Sequence, residues 1–174
     1  MTHVMLDLET MSLAPNAALV SIGAVKMTAL GTTSGTFYCN IDLQSSVDAG
    51  LRMDPSTVMW WLQQDAPARN SLAKQARPLH DVLQDFTAWA GEQPVIWGNG
   101  AAADNVWLAE AYKAVGLPRP WTYKDDRCYR TFRAMHQDVA DPPENSEAHN
   151  ALADAQWQAD FMARVCAQKG IVLT

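Results

Sequence analysis

Three short stretches, far apart in the chain, hold residue types that could do chemistry together. The first is Val4-Met5-Leu6-Asp7-Leu8-Glu9-Thr10, which reads as a buried strand. Side chains alternate faces along a strand, so Asp7 and Glu9 point the same way, with Met5, while Leu6 and Leu8 face oppositely. Two adjacent carboxylates in an apolar strand repel each other and resist desolvation, and a divalent cation between them removes the conflict. The plainer alternative ends the strand at Asp7 and gives Glu9-Thr10 to a solvated turn. The second stretch is Asp104, at the first turn of a helix that follows the buried run Val95-Ile96-Trp97 and the sharp turn Gly98-Asn99-Gly100. The third is His149 and Asp154, which bracket the start of the last helix. At about 100° per residue they would stand roughly 140° apart on one continuous helix and share no face. They reach one site only if His149 lies in the loop and Asp154 on the first turns of the helix. Pro142-Pro143 upstream supports the loop, and Ser146 or Asn150 is placed to cap the helix. A loop histidine suits a general base that approaches when substrate is bound.

Elements that could position these groups follow from periodicity and turn residues. Residues 18–25 form a second strand and residues 36–42 a third, after the turn Gly31-Thr32-Thr33-Ser34-Gly35. Their short connections favour an antiparallel meander of three strands. Residues 55–62 form a short helix carrying Trp60 and Trp61. Residues 78–89 form a longer amphipathic one with Leu79, Val82, Leu83, Phe86 and Trp89 at helical spacing. Beyond this point strand and helix alternate: a strand over 94–97, a helix from 103 to Gly116, an edge strand over 121–123 and a helical stretch over 129–135. An aperiodic loop over 138–147 precedes the last helix, residues 150–168. The pattern predicts an α/β protein with a mixed sheet, the three-strand meander plus parallel strands, and helices on both faces. In such sheets ligands bind beyond the carboxyl ends of the strands, where Asp7, Glu9 and Asp104 would lie.

Composition narrows the class. At 174 residues the length prior expects one domain, 1–174, and a 48% hydrophobic, 18% charged chain has a core rather than disorder. No basic region leads into a long apolar run at the N-terminus, so no signal peptide is expected. The longest apolar stretch, around residues 17–25, is too short for a bilayer, so no membrane partner is expected. Cys39, Cys128 and Cys166 are odd in number and widely spaced, which points to a reducing cytoplasm and a packing role. A formal net charge of −6 weighs against a nucleic-acid binder held by a basic surface. Carboxylates gathered around divalent cations would nevertheless offer phosphate a locally neutral or positive face.

Asp7-x-Glu9, then Asp104 after Asn99 in a Gly-rich turn, then His149-x4-Asp154, resembles the DEDDh (DnaQ-like) group of 3′→5′ exonucleases, which have a ribonuclease-H-like fold. The resemblance runs from Asp7 to the last helix. Within the group the chain looks most similar to a small single-domain branch of phages and bacteria. That branch has a paired-tryptophan helix like Thr57-Val58-Met59-Trp60-Trp61-Leu62-Gln63-Gln64 and an Arg-rich stretch like Arg127-Cys128-Tyr129-Arg130-Thr131. Some members degrade RNA, and others are placed with phage DNA exonucleases. The chain departs from the group at Ala103, where many members carry Phe; this concerns how the terminal sugar or base packs, not the metal ligands.

The resemblance implies two-metal phosphodiester hydrolysis at the 3′ end of RNA or DNA, releasing nucleoside 5′-monophosphates, with RNA slightly favoured. Its cofactors would be two Mg²⁺ or Mn²⁺ ions, and carboxylate oxygens suit such hard cations. Asp7, Glu9 and Asp154 would hold one ion, and Asp7 with Asp104 the other. His149 would take the proton of the attacking water, as a group whose ordinary titration range lies close to working pH. Thr10 and the backbone of residues 11–13 would hold the terminal nucleotide or form an ordinary strand-to-loop turn, and Asn99 is a further substrate-binding candidate. Trp61 could stack on a base or, as tryptophans on a short helix more often do, join the core, where Trp60 is expected. Arg130 and Arg127 could contact phosphate or pair at the surface. His3, His80 and His136 belong to no motif and are expected at the surface. The expected setting is the cytoplasm of a bacterium or phage-infected host, with a homodimer compatible. Other classes remain as alternatives: a catalytically silent nucleic-acid-binding module of the same fold, a ribonuclease-H-like endonuclease, and an unrelated acidic metal binder. The first would lack a carboxylate, the second has no need of the His-x4-Asp pattern, and the third clusters its ligands within about a dozen residues.

Overall fold

The computed structural model describes residues 2–145 and 149–174. Its sheet is built from β1 (His3–Thr10), β2 (Leu19–Met27), β3 (Thr33–Asn40), β4 (Val95–Gly98) and β5 (Asp126–Cys128), in the order β3-β2-β1-β4-β5. The pairings β1–β2 and β2–β3 are antiparallel, while β1–β4 and β4–β5 are parallel. This is the mixed sheet that the change from meander to alternating units predicts. β1 is central and buried along its whole length, including Glu9 and Thr10, so the solvated-turn alternative for these residues is excluded.

The period-two pattern of β1 sorts its side chains between two cores. Val4, Leu6 and Leu8 pack with α4 (Leu79–Ala90) and α5 (Val106–Ala114) through Val82, Leu83, Phe86 and Leu108. Met5 packs on the opposite face with Phe161, Met162 and Val165 of α7 (Ala151–Lys169). Asp7 and Glu9 share the parity of Met5, so they emerge on the α7 side. His3, expected at the surface, is fully buried because the central strand is covered at both ends. Its Nδ1 accepts a hydrogen bond from Trp97 Nε1 at 3.1 Å, and burial pushes its pKa down.

Three short elements escape the sequence pattern. α1 (Leu43–Asp48) is capped by Asp42, which the sequence pattern assigns to the third strand, and α3 (Ala66–Leu72) is capped by Asp65. Both are too short to show a helical period. Residues 121–123 are not a strand, because Thr122 and Asp125 form a reciprocal cap around a single 3₁₀ turn, and the edge strand starts at Asp126. α2 (Pro55–Gln63) and α6 (Tyr129–Ala134) lie where expected. Among the described residues no helix is long and apolar enough to cross a membrane.

Gly23 of β2, the register partner of Asp7, is what lets α7 reach the sheet. A Cβ at Gly23 would lie 2.1 Å from the Ala151 carbonyl carbon and 2.2 Å from Leu152 N. Those are backbone atoms, which cannot rotate away. Gly23→Ala is expected to lever the first turn of α7 off the sheet and cost at least about 1–3 kcal/mol, the range for overpacking. Urea denaturation would read this as a lowered midpoint at unchanged slope, and an unchanged midpoint would refute the close contact.

Candidate active site

β1 and β4 run parallel, so their carboxyl ends open at the same edge of the sheet. Asp7 and Glu9 stand on β1 there. β4 continues through Asn99 and Gly100 into a wide π-helical turn, Ala101–Asn105, which carries Asp104 into α5. Asp104 Oδ2 accepts a bond from Gly100 N at 2.8 Å, and Asn105 Nδ2 ties the turn to Ile96 O at 3.1 Å and Asp126 Oδ1 at 2.8 Å. Gly98 admits this packing, since a Cβ there would fall 2.1 Å from Asn105 Oδ1. From the other side, Asn150 caps α7 by accepting from Leu152 N and Ala153 N, which sets Asp154 in the first turn. Ser146, the other candidate cap, lies outside the described residues.

These elements bring Asp7, Glu9 and Asp154 together: one carboxylate oxygen from each lies within 4.8 Å of the others. Asp104 faces the same cleft, of about 800 Å³. Asp7 is raised well above the ordinary carboxylate range by burial, then by the charges of Asp104 and Glu9. Glu9 is pushed up to about 8 by burial, then by Asp154 and Asp104. Burial raises Asp104 to about 6 against the pull of its backbone bonds, and burial also raises Asp154. Among the described residues no ion pair reaches any of the four. Buried, mutually repelling oxygens without an ion-pair partner among the described residues form a donor set that suits hard divalent cations.

The sign of this repulsion can be read in solution. A carboxylate whose pKa is higher folded than unfolded binds a proton on folding, so stability falls as pH rises. For Glu9 the penalty begins above its ordinary value of 4.5 and is complete near 8. In chelator, the protein is therefore expected to lose on the order of a few kcal/mol between those limits. At lower pH, Asp54, Asp125 and Asp138, held below the ordinary range by their hydrogen bonds, act in the opposite sense. Denaturant midpoints at pH 5 and pH 8 check the prediction; equal values would refute it.

His149 lies outside α7, in a left-handed turn at φ 65°, and its backbone N donates to Asp154 Oδ2 at 3.2 Å. Its ring meets Trp60 edge to face at 5.0 Å and Trp61 at 6.2 Å. Trp61 takes the core alternative, and Trp60, expected in the core, is the exposed member of the pair. Trp61 is only 4% exposed and donates Nε1 to Thr10 O at 3.0 Å, whereas Trp60 is 42% exposed. Adjacent helical residues lie about 100° apart, so only one can face the sheet. Trp60, Trp61, Thr10 and Leu13 line a second, more apolar cleft of about 410 Å³ beside Glu9. The Thr10 hydroxyl itself donates to Ser12 O.

Asn99 and Arg130 both line the large cleft and are joined, Arg130 Nε donating to Asn99 Oδ1 at 3.3 Å and Arg130 N to Asn99 O at 3.0 Å. Arg127 instead bonds the Lys124 and Thr174 carbonyls. Two further residues belong to the site. Trp107, one turn after Ala103, lines both clefts, and Gln158 donates Nε2 to Asp7 Oδ1 at 2.9 Å. Gln158 had a sequence signal: it stands four residues after Asp154, one helical turn along the same face.

A mixed sheet in this order, with carboxylates gathered at the ends of β1 and β4, is the ribonuclease-H-like exonuclease fold. The chain belongs to the family of the Rv2179c-like 3′-5′ exoribonuclease domain, whose model matches residues 2–166. Its structure is similar to that of E. coli exonuclease I. The zinc-bound complex of that enzyme with single-stranded DNA has a TM-score of 0.69 at 15% identity, covering 97% of this chain and 41% of the other. The complex with a dT13 oligonucleotide gives 0.68 at 15% identity, covering 97% and 42%. The chain thus spans about two fifths of the length of exonuclease I, and at this identity the likeness is one of fold. A search of curated protein sequences finds no match.

Proposed function

We propose that the chain is a metal-dependent 3′→5′ exonuclease that shortens RNA in preference to DNA and releases nucleoside 5′-monophosphates. The observation that carries this reading is the convergence of Asp7, Glu9 and Asp154 oxygens within 4.8 Å, with Asp104 facing them. Membership of an exoribonuclease family supports RNA as the substrate. Asp7, Glu9 and Asp154 would hold one Mg²⁺ or Mn²⁺ ion, and Asp7 with Asp104, directly or through water, a second. When bound, such ions lower the pKa of the attacking water and stabilise the charge on the leaving 3′ oxygen.

The chain's own groups do the rest. His149 accepts the proton of the attacking water on an imidazole nitrogen, which its place in the loop before Asp154 allows. Arg130, braced by Asn99, presents its guanidinium to phosphate in the large cleft. The apolar cleft takes the terminal nucleotide: Thr10 and the turn after it meet the sugar, and the exposed face of Trp60 offers a stacking surface while Trp61 backs the wall. All these residues come from one chain; a homodimer is compatible with the reading and is tested by sedimentation.

End-labelled single-stranded RNA, single-stranded DNA and 3′-overhang duplexes, incubated with Mg²⁺ or Mn²⁺, give the direct test. The expected result is a metal-dependent ladder shortening from the 3′ end, fastest on RNA. Intact substrates in the presence of bound metal would move the assignment to a catalytically silent nucleic-acid-binding module.

A further inference from the structure

α7 carries a polar side chain where its pattern calls for an apolar one. Gln158 lies among Ala155, Ala159, Phe161 and Met162 on the buried side of the helix and is itself 4% exposed. A buried amide costs stability unless its polar atoms are paired. Here only one end is paired: Nε2 donates to Asp7 Oδ1 at 2.9 Å, and Oε1 has no hydrogen-bond partner among the described residues. A leucine or methionine would fill similar space without that cost. The position therefore holds a group that makes no sense as packing alone and whose single bond goes to the central carboxylate of the cluster.

The choice of an amide is informative. A lysine or arginine would neutralise Asp7 and compete with a cation for it. A neutral donor orients the carboxylate and leaves its charge available. The i, i+4 spacing means that one face of α7 delivers both the Asp154 carboxylate and the group that holds Asp7.

We infer that Gln158 is a positioning residue: its amide fixes the plane of the Asp7 carboxylate for a divalent cation and sets the affinity of the site, without touching the scissile bond. The inference rests on reading the carboxylate cluster as a metal site. Partners of this kind, bonded to a ligand rather than to the ion, set metal affinity by about 10- to 100-fold.

The test uses the full chain with Gln158→Leu and Gln158→Met. Mn²⁺ binding is measured by titration calorimetry and by the metal-induced rise in Tm, and RNA turnover is followed against Mn²⁺ concentration. Both variants are expected to fold, with a metal-free denaturation midpoint equal to or above the parent's. Their Kd for Mn²⁺ should weaken by about 10- to 100-fold. At saturating Mn²⁺, kcat should return to within a few-fold of the parent, with KM for RNA unchanged. Variants that bind Mn²⁺ like the parent, or that merely lose metal-free stability, would overturn the role of Gln158 alone. A parent protein that takes up no Mn²⁺ would instead remove the metal reading, and this role with it.

Discussion

Asp7→Asn is expected to abolish measurable metal-dependent turnover, lowering kcat by at least about a thousandfold, while raising the stability of the metal-free protein. The first effect follows from position. Asp7 is the carboxylate whose neighbours include Glu9, Asp104 and Asp154 together, and on our reading it faces both cations. Losing a ligand common to both removes several kcal/mol of charge stabilisation from the reaction, and each 1.36 kcal/mol is about tenfold in rate. The second effect follows from repulsion. An asparagine of the same shape keeps an acceptor for Gln158 and relieves the buried charge conflict, so its Tm in chelator at pH 8 should exceed the parent's. The same variant should lose most of the Tm rise that Mn²⁺ gives the parent. Turnover within tenfold of the parent, or an undiminished response to Mn²⁺, would sink the assignment.

His149→Ala should separate chemistry from metal binding. A positioned general base contributes about 10²–10⁴-fold, so kcat is expected to fall by that factor. The Mn²⁺-induced rise in Tm should be kept, because His149 meets Asp154 through its backbone N rather than through its ring. KM for RNA should change by no more than a few-fold. The ring's edge contacts with Trp60 and Trp61 make a second measurement informative. Trp60→Phe preserves an aromatic ring and should retain most activity, whereas a many-fold rise in KM for RNA in that variant would show that Trp60 acts mainly on the nucleobase. An unchanged kcat in His149→Ala would move the proton to another acceptor.

The candidate site was legible in the sequence because each of its groups sits where a local rule makes it conspicuous. Asp7 and Glu9 interrupt an apolar strand with the same parity, Asp104 follows a buried strand and a glycine turn, and His149 and Asp154 cannot share a face unless a loop lies between them. The α/β class and the mixed sheet were legible for the same reason, since periods of two and 3.6 are local properties of the chain.

What the sequence did not decide depends on contacts between distant segments. Which tryptophan faces the sheet is settled by how α2 lies on β1, where the Thr10 carbonyl captures the Trp61 indole and leaves Trp60 outside. His3 is buried because its strand lies between β2 and β4 and the Trp97 indole packs on its ring, and nothing in its neighbours along the chain says so. Gln158 stands one helical turn after Asp154, but its partner is not legible until α7 is pressed onto Gly23 and its amide meets Asp7, 151 positions away. The residue types and their local periodicity determined what chemistry this chain could hold. Only the tertiary structure decided which side chains meet, because burial and partnership are properties of the packed surfaces and not of any one segment.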